Sequence, residues 1–282
     1  MSSPLRVHRP VVDAFLVSQV IVFGARRELY IPLGNYRVLI GSMNQTSRQQ
    51  HRDTRCDTTM TQDNFSYDGM RLDFSADEFA RLTLARPEKR NAIGSEMYAS
   101  FQSALRELNR REARLCVLAS EGPSFCAGAD LKELGKGLPG ALDMIRDMAQ
   151  SDILWLAEVR GGVLGAAVAM VAACPFVFCD ETAWFSLPEI KRGMFPASIA
   201  DIVALGSNKR WAYSMALSAR RVSAKEAMMN GLVTEVVPES LLAERSISFA
   251  HEIQAIWDKI ILSMEDWRGS LRLSVAELLN AH

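Results

Sequence analysis

From Met70 onward, short apolar runs alternate with stretches of helical period, and this alternation restricts the chain to few folds. "MRLDFS" and "FARLTLA" alternate apolar and polar residues, the pattern of half-buried strands joined as a hairpin. "SEMYASFQSALRELNRR" (residues 95–111) predicts a helix with Met97, Phe101, Leu105 and Leu108 on one face and Ser95 as N-cap. "RLCVLAS" (114–120) reads as a strand buried on both sides. "DLKELGKG" predicts the start of another helix, "ILWLAEVRG" a strand, and "GAAVAMVAAC" (165–174) a helix of small residues. "FVFCDE" and "AWFSLPE" predict strand and turn, and "SNKRWAYSMALSA" (207–219) a helix. "SAKEAMMNG" carries its own punctuation, with Ser223 as cap, Glu226 at the capping-box position and Gly231 as stop. "LVTEVV" is a strand, and the remainder is amphipathic helix. Strands of buried type separated by helices argue for an α/β fold with parallel strands and right-handed crossovers. No internal repeat is visible in the residues.

Residues 1–59 differ from the rest. They hold eight Arg and no Lys, whereas both cations occur freely beyond Met60. "SMNQTSRQQHRDTRCDTTM" (42–60) has no apolar period and reads as disordered. The expectation is that Met60 is the biological start and that 1–59 is upstream sequence translated in error. The alternatives are a disordered tail or a small β element, since "RELYIPLGNYRVLIG" has the pattern of two pairing strands. Residues 60–240 are then the core and 241–282 a C-terminal helical region.

A net charge of −1 removes any whole-molecule reason to expect nucleic-acid binding. Five cysteines without a CxxC pair and four scattered His make a zinc site unexpected. Thiols in Ala/Val-rich surroundings suggest a reducing compartment, and the cytoplasm is the expected location. No apolar run reaches the ~18 residues of a membrane span. Val11 to Ala25 loosely resembles a leader peptide, but Asp13 and Gln19 interrupt it.

"GPSFCAGADLKEL" (122–134) places Cys126, Ala127, Gly128 and Ala129 between a strand and the next element. Such small residues let a backbone approach another group closely. Close helix–strand packing uses the same composition, so this stretch alone leaves both readings open.

Five stretches together narrow the choice. "LARPEKRNAI", "FCAGADLKEL", "VRGGVLGAAVAMVAAC", "FSLPEIKRGMFPA" and "RVSAKEAMMNGLVTEVV" resemble, in order and approximate spacing, the motifs of the crotonase superfamily, the enoyl-CoA hydratase/isomerase family. The similarity covers about residues 70–240. It implies a spiral of ββα units with a C-terminal helical region covering a site. It also implies a homotrimer or hexamer that acts on acyl-coenzyme A or acyl-carrier thioesters. No separate cofactor is implied, coenzyme A being part of the substrate. The shared chemical step is stabilisation of a thioester enolate.

The resemblance assigns one backbone N–H donor for the enolate oxygen to Ala129. It assigns the other to Ala166, where the family usually has Gly, at a helix start whose free N–H groups and dipole favour an oxyanion. Ala127, Asp130, Leu131 and Lys132 match the region that meets the nucleotide and pantetheine of the substrate. The charges of "RPEKRN" (86–91) fall in the matching N-terminal motif, with phosphate contact or a solvated turn as their alternatives.

Hydratases of the family use two glutamates. The second aligns with Glu189, which follows Pro188 among apolar residues, an environment that raises a carboxyl pKa toward the catalytic range. The plain alternative is a turn residue capping nearby backbone. The first glutamate aligns with Ala169, Pro175 stands where Asp is common, and the stretches 130–161 and 196–206 are shorter than usual. A single carboxylate suits movement of a double bond from position 3 to position 2 better than addition of water. A hydratase using a carboxylate from another loop, and a silent acyl-CoA-binding paralogue, remain as alternatives. Trp155, Trp184, Trp211 and Phe195 are candidates for an acyl pocket, core and subunit contacts being their ordinary use.

Overall fold

The computed structural model describes residues 30–33, 36–39, 63–74, 79–256, 275 and 277–279 of the 282-residue chain. The chain divides into two units, Met1–Thr59 and Met60–His282. In the first, β1 (Tyr30–Leu33) pairs antiparallel with β2 (Tyr36–Leu39). The stretch 42–60, expected to be disordered, lies outside the described residues.

The second unit opens with three antiparallel strands, β3 (Asn64–Tyr67), β4 (Met70–Phe74) and β5 (Ala80–Leu84). Helix α1 (Ser95–Arg110) follows and buries Met97, Phe101, Ala104 and Leu108 against the sheet. Its cap differs from expectation: Ser95 is the first helical residue, and its N–H is satisfied from outside by Glu133 Oε2 at 2.7 Å.

A unit of strand, short strand and helix then recurs. The first is β6 (Leu115–Ser120), β7 (Ser124–Cys126) and α2 (Ala141–Gln150). The second is β8 (Leu154–Val159), β9 (Gly162–Leu164) and α3 (Ala166–Ala172). The third is β10 (Phe176–Asp180), β11 (Trp184–Ser186) and α4 (Ala197–Leu205), with α5 (Lys209–Ser218) after it. This repeat is structural only, which is why no repeat shows in the residues. The long strands join β13 (Glu235–Val237) in a seven-stranded sheet ordered β13-β10-β8-β6-β5-β4-β3, parallel from β5 to β13. The short strands form a second sheet, where β12 (Val222–Ser223) lies antiparallel beside β11 in the order β12-β11-β9-β7.

Local signals held where the chain's own caps supplied them. Ser223 Oγ accepts the Glu226 N–H at 3.2 Å and starts α6 (Ala224–Met229). They failed at "DLKELGKG", which forms turns instead of a helix. Gly135 and Gly137 there adopt φ of +78° and +68°, left-handed values that break a right-handed helix. Leu131, Leu134 and Leu138 have helical spacing, but they are exposed and give a helix no core to pack on.

The main core lies between the two sheets and α1 to α6, and includes Trp155 and Trp211. The opposite face of the large sheet carries Val117, Leu156 and Phe178, covered by Leu242 and Ala250 of α7 (residues 242–256). Under α7 lies a polar exception, Glu158, only 4% exposed. It pairs with Arg81 at 2.7 Å and accepts the Ser246 hydroxyl at 2.5 Å. Burial works to raise the Glu158 carboxyl, but the Arg81 pair outweighs it and holds the group below the ordinary glutamate value.

A carboxyl lowered by folding contributes stability above its unfolded value of ~4.3, and that contribution is lost as pH falls through the folded value. Thermal melts by circular dichroism from pH 3 to pH 7 test this directly. Glu158→Gln is expected to flatten the acid fall in Tm and to cost about 3 kcal/mol at neutral pH, the low end for breaking a buried pair. An unchanged pH profile would remove Glu158 from the acid response.

Candidate active site

The site follows from the second sheet. β7, β9 and β11 run parallel, with Cys126 opposite Val163 and Ser186 opposite Leu164. The three connections leaving their C-terminal ends are therefore neighbours, although they lie far apart along the chain. They are residues 127–130, the Gly165–Ala166 start of α3, and the Pro188–Arg192 3-10 turn. They border a cavity of about 640 Å³. Its lining includes Ala127, Ala129, Asp130, Leu131, Ala166 and Glu189, so six of the seven residues singled out from the sequence are brought together. Lys132 does not line it.

Hydrogen-bond accounting identifies the backbone group on offer. Ala127 N–H donates to Arg90 O at 2.9 Å, and Gly128 N–H donates to Cys126 Sγ at 3.3 Å. Asp130 N–H donates to Ile93 O at 2.9 Å. Among the described residues the Ala129 N–H has no partner. At α3 the Ala166 N–H is one of the free donors that begin any helix. The two segments touch: a Cβ on Gly128, whose φ is +83°, would sit 2.5 Å from Leu164 O and 3.1 Å from Ala166 N. Glycine at 128 thus permits the approach. Close packing of the small residues is what brings the two segments together.

Glu189 comes to the same place. A Cβ on Gly165, at φ +56°, would lie 2.5 Å from Glu189 Oε1, so the carboxyl rests against the backbone that precedes the Ala166 donor. Its Oε2 is buried and has no hydrogen-bond partner among the described residues. Burial raises the Glu189 carboxyl, opposed by its own backbone N–H and by the Arg192 guanidinium. A buried acceptor without a donor is costly in a core and expected where a proton is to be exchanged.

Ala169 is fully buried one helical turn after Ala166 and supplies no polar atom. Three other carboxylates line the cavity, and each is engaged. Glu133 caps Ser95 N–H, Asp143 accepts from Gly140 N–H and pairs with Arg146, and Asp130 accepts Lys132 N–H. Residues not marked by sequence pattern also line the cavity, among them Met194, Pro196, Ile199 and Leu142. Their helical or turn positions carry no period that distinguishes lining from core. Phe195 is in the lining, whereas Trp155 and Trp211 are core and Trp184 stacks under Arg221 at 4.0 Å. Of the "RPEKRN" charges, Arg90 reaches the cavity, while Arg86 is buried and not solvated, as is the neutral Asn91.

Stacked ββα units whose loop ends gather small-residue backbone around one buried carboxylate define a crotonase-type α/β protein. Residues 76–277 match the enoyl-CoA hydratase/isomerase family, and the chain belongs to that family. It is 33% identical to a mevalonyl-coenzyme A hydratase of Aspergillus fumigatus over 198 residues, 66% of this chain and 72% of that protein. It is 27% identical to the human enoyl-CoA hydratase domain-containing protein 3, mitochondrial, over 190 residues, 64% of this chain. The chain spans 63% of that human relative's length and 65% of its rat counterpart's. The solved enoyl-CoA hydratase/isomerase of Pseudoalteromonas atlantica superposes with a TM-score of 0.68 at 25% identity, over 76% of this chain and 88% of that one.

Proposed function

We propose that the protein isomerises enoyl thioesters of coenzyme A, or of an acyl carrier, with Glu189 as the single acid–base group. The observation that carries this reading is the buried, unpartnered Glu189 Oε2 in a site where residue 169 of the neighbouring helix is alanine. Glu189 as carboxylate takes a proton from C2 of a 3-enoyl thioester. The electron pair moves onto the thioester oxygen, where the Ala129 and Ala166 N–H groups receive it. Glu189 then returns the proton to C4, and the double bond lies between C2 and C3. Nothing is consumed, so no cofactor is needed beyond the coenzyme A of the substrate. Such donors act on charge that develops in the transition state, and losing one costs ~3–4 kcal/mol.

The apolar lining, with Leu131, Leu134 and Leu138 more than half or about half exposed at the mouth, suits pantetheine and an acyl chain. A homotrimer or hexamer is proposed from the family, with exposed Leu217 and Met229, which lie outside the cavity, as candidate contacts. Four buried free thiols at Cys116, Cys126, Cys174 and Cys179 support a reducing compartment such as the cytoplasm. Among the described residues no helix is long and apolar enough to cross a membrane.

Hydration is the second reading, favoured by the hydratase names of the relatives. It requires a second acid–base group, and Ala169 supplies none, while Asp130, Glu133 and Asp143 each already accept a backbone N–H. A panel of 3-enoyl-CoA and 2-enoyl-CoA substrates, followed by the absorbance of the conjugated 2-enoyl thioester, separates the two. A rise with the 3-enoyl series is the expected result. A fall with the 2-enoyl series would establish water addition, and silence in both would favour a binding paralogue.

A further inference from the structure

Asn91 is fully buried and takes a left-handed backbone conformation, φ +54°. Asparagine tolerates that conformation better than most residues. Its side chain has four backbone groups within hydrogen-bond distance, and the two N–H hydrogens of Nδ2 are shared among three carbonyls. Oδ1 accepts Arg86 N–H at 2.8 Å, and Nδ2 donates to the carbonyls of Glu121, Ser124 and Phe125 at 2.9, 3.1 and 3.0 Å. Its own carbonyl accepts the Cys126 thiol at 2.9 Å, and that sulfur in turn accepts Gly128 N–H. Residues on either side continue the match: Arg90 O takes Ala127 N–H, and Ile93 bonds to Gly128 O and Asp130 N–H. Residues 90–93 are therefore a template on which 124–130 is laid, and the N–H it leaves free is Ala129's.

The chemistry is specific to a carboxamide. Three carbonyl oxygens converge on Nδ2, so aspartate, the nearest shape, would set a carboxylate against three acceptors. Serine lacks the reach to bridge 121 and 125, and glutamine is one carbon too long for a site without free volume. A surface turn needs none of this, whereas a backbone donor that must be held to within a few tenths of an ångström does.

We propose that Asn91 is the positioning residue of the site: through its carboxamide, and through the thiol bridge from its carbonyl to Gly128, it aims the Ala129 N–H at the thioester oxygen. This inference rests on the reading of Ala129 as an enolate donor. It assigns Asn91 no contact with substrate.

The test uses a saturated probe, hexanoyl-CoA carrying ¹³C at the thioester carbon, so that no turnover is needed. Two quantities are read on the full chain: the infrared carbonyl frequency of the bound probe, and the rate of α-hydrogen exchange with D₂O at saturation. In the wild type the carbonyl band shifts to lower frequency and exchange is measurable. Asn91→Gly keeps the left-handed backbone but deletes the carboxamide. It is expected to lose most of the band shift and to exchange about 10²-fold more slowly, as for a lost oxyanion donor, with probe affinity within about threefold. Cys126→Ala removes only the thiol bridge and is expected to lose part of the shift in the same direction. It also keeps the proposal testable if Asn91→Gly does not fold. Leu72→Ala, a core truncation on β4 away from the cavity, is the control for destabilisation, with shift and exchange unchanged. A full wild-type shift in folded Asn91→Gly, or in Cys126→Ala, overturns the proposal. A wild type that shows neither shift nor exchange overturns the donor reading instead, so the two failures are distinct.

Discussion

Glu189→Gln is expected to lower turnover on the 3-enoyl series by about 10³-fold, the middle of the range for removing a general acid–base group, while leaving acyl-CoA binding in place. The change is nearly isosteric, and Oε2 has no partner to lose. The stability effect has an unusual sign. Burial raises the Glu189 carboxyl above its ordinary value, so the folded state holds a proton that the unfolded state releases. Stability then declines as pH rises from the unfolded value through the raised folded one. A neutral amide escapes that penalty, so Tm at pH 7 is expected to hold or to rise slightly. In the wild type the acid limb of kcat/KM is expected above the ordinary glutamate range, since the carboxylate form must take the first proton. Wild-type turnover in the variant would return Glu189 to the role of a turn residue. A large drop in Tm would show that it is structural.

Gly128→Ala is expected to have the other large effect. The added Cβ meets backbone at Leu164 O and Ala166 N, at 2.5 and 3.1 Å, and backbone cannot swing aside as a side-chain end can. The positive φ adds ~1–2 kcal/mol for a residue with a Cβ. The loop must retreat from α3, which separates the two donor N–H groups. A loss of 10²- to 10³-fold in kcat is expected, about that of removing one oxyanion donor, with a smaller change in KM. Gly69→Ala is the informative control, measured by the same assay and by thermal melting. Gly69 has a φ of +73°, but its added Cβ would meet only side-chain atoms of Met97 and Arg86. It is expected to lower Tm with turnover retained. Equal loss of turnover in both variants would mean that general strain, and not donor geometry, governs the rate.

The reach of the sequence can be traced residue by residue. The strands β6 and β8 and the cap at Ser223 were legible because they depend on local apolar runs and on atoms three residues apart. Glu189 was legible through the family resemblance, since the local pattern after Pro188 fits a turn residue equally well. The turn at 131–137 was misread because its leucines carry helical spacing for a different reason, namely that they border the cavity. The cap of α1 was misread because its acceptor, Glu133, is 38 residues away. The burial of Arg86 was not legible because the Asn91 beside it is tied to carbonyls of residues 121–125, 30 and more positions along the chain.

Element order and type, the small-residue stretches and the absence of a carboxylate at residue 169 are properties of the sequence itself, since each depends on residues close together or on a single side chain. Which N–H stays free and which carboxylates are already engaged were decided by tertiary structure, as was the seating of Glu189 against Gly165. Hydrogen-bond saturation is a sum over all neighbours of an atom. Those neighbours are set by the parallel pairing of β7, β9 and β11, which joins loops that no local pattern relates.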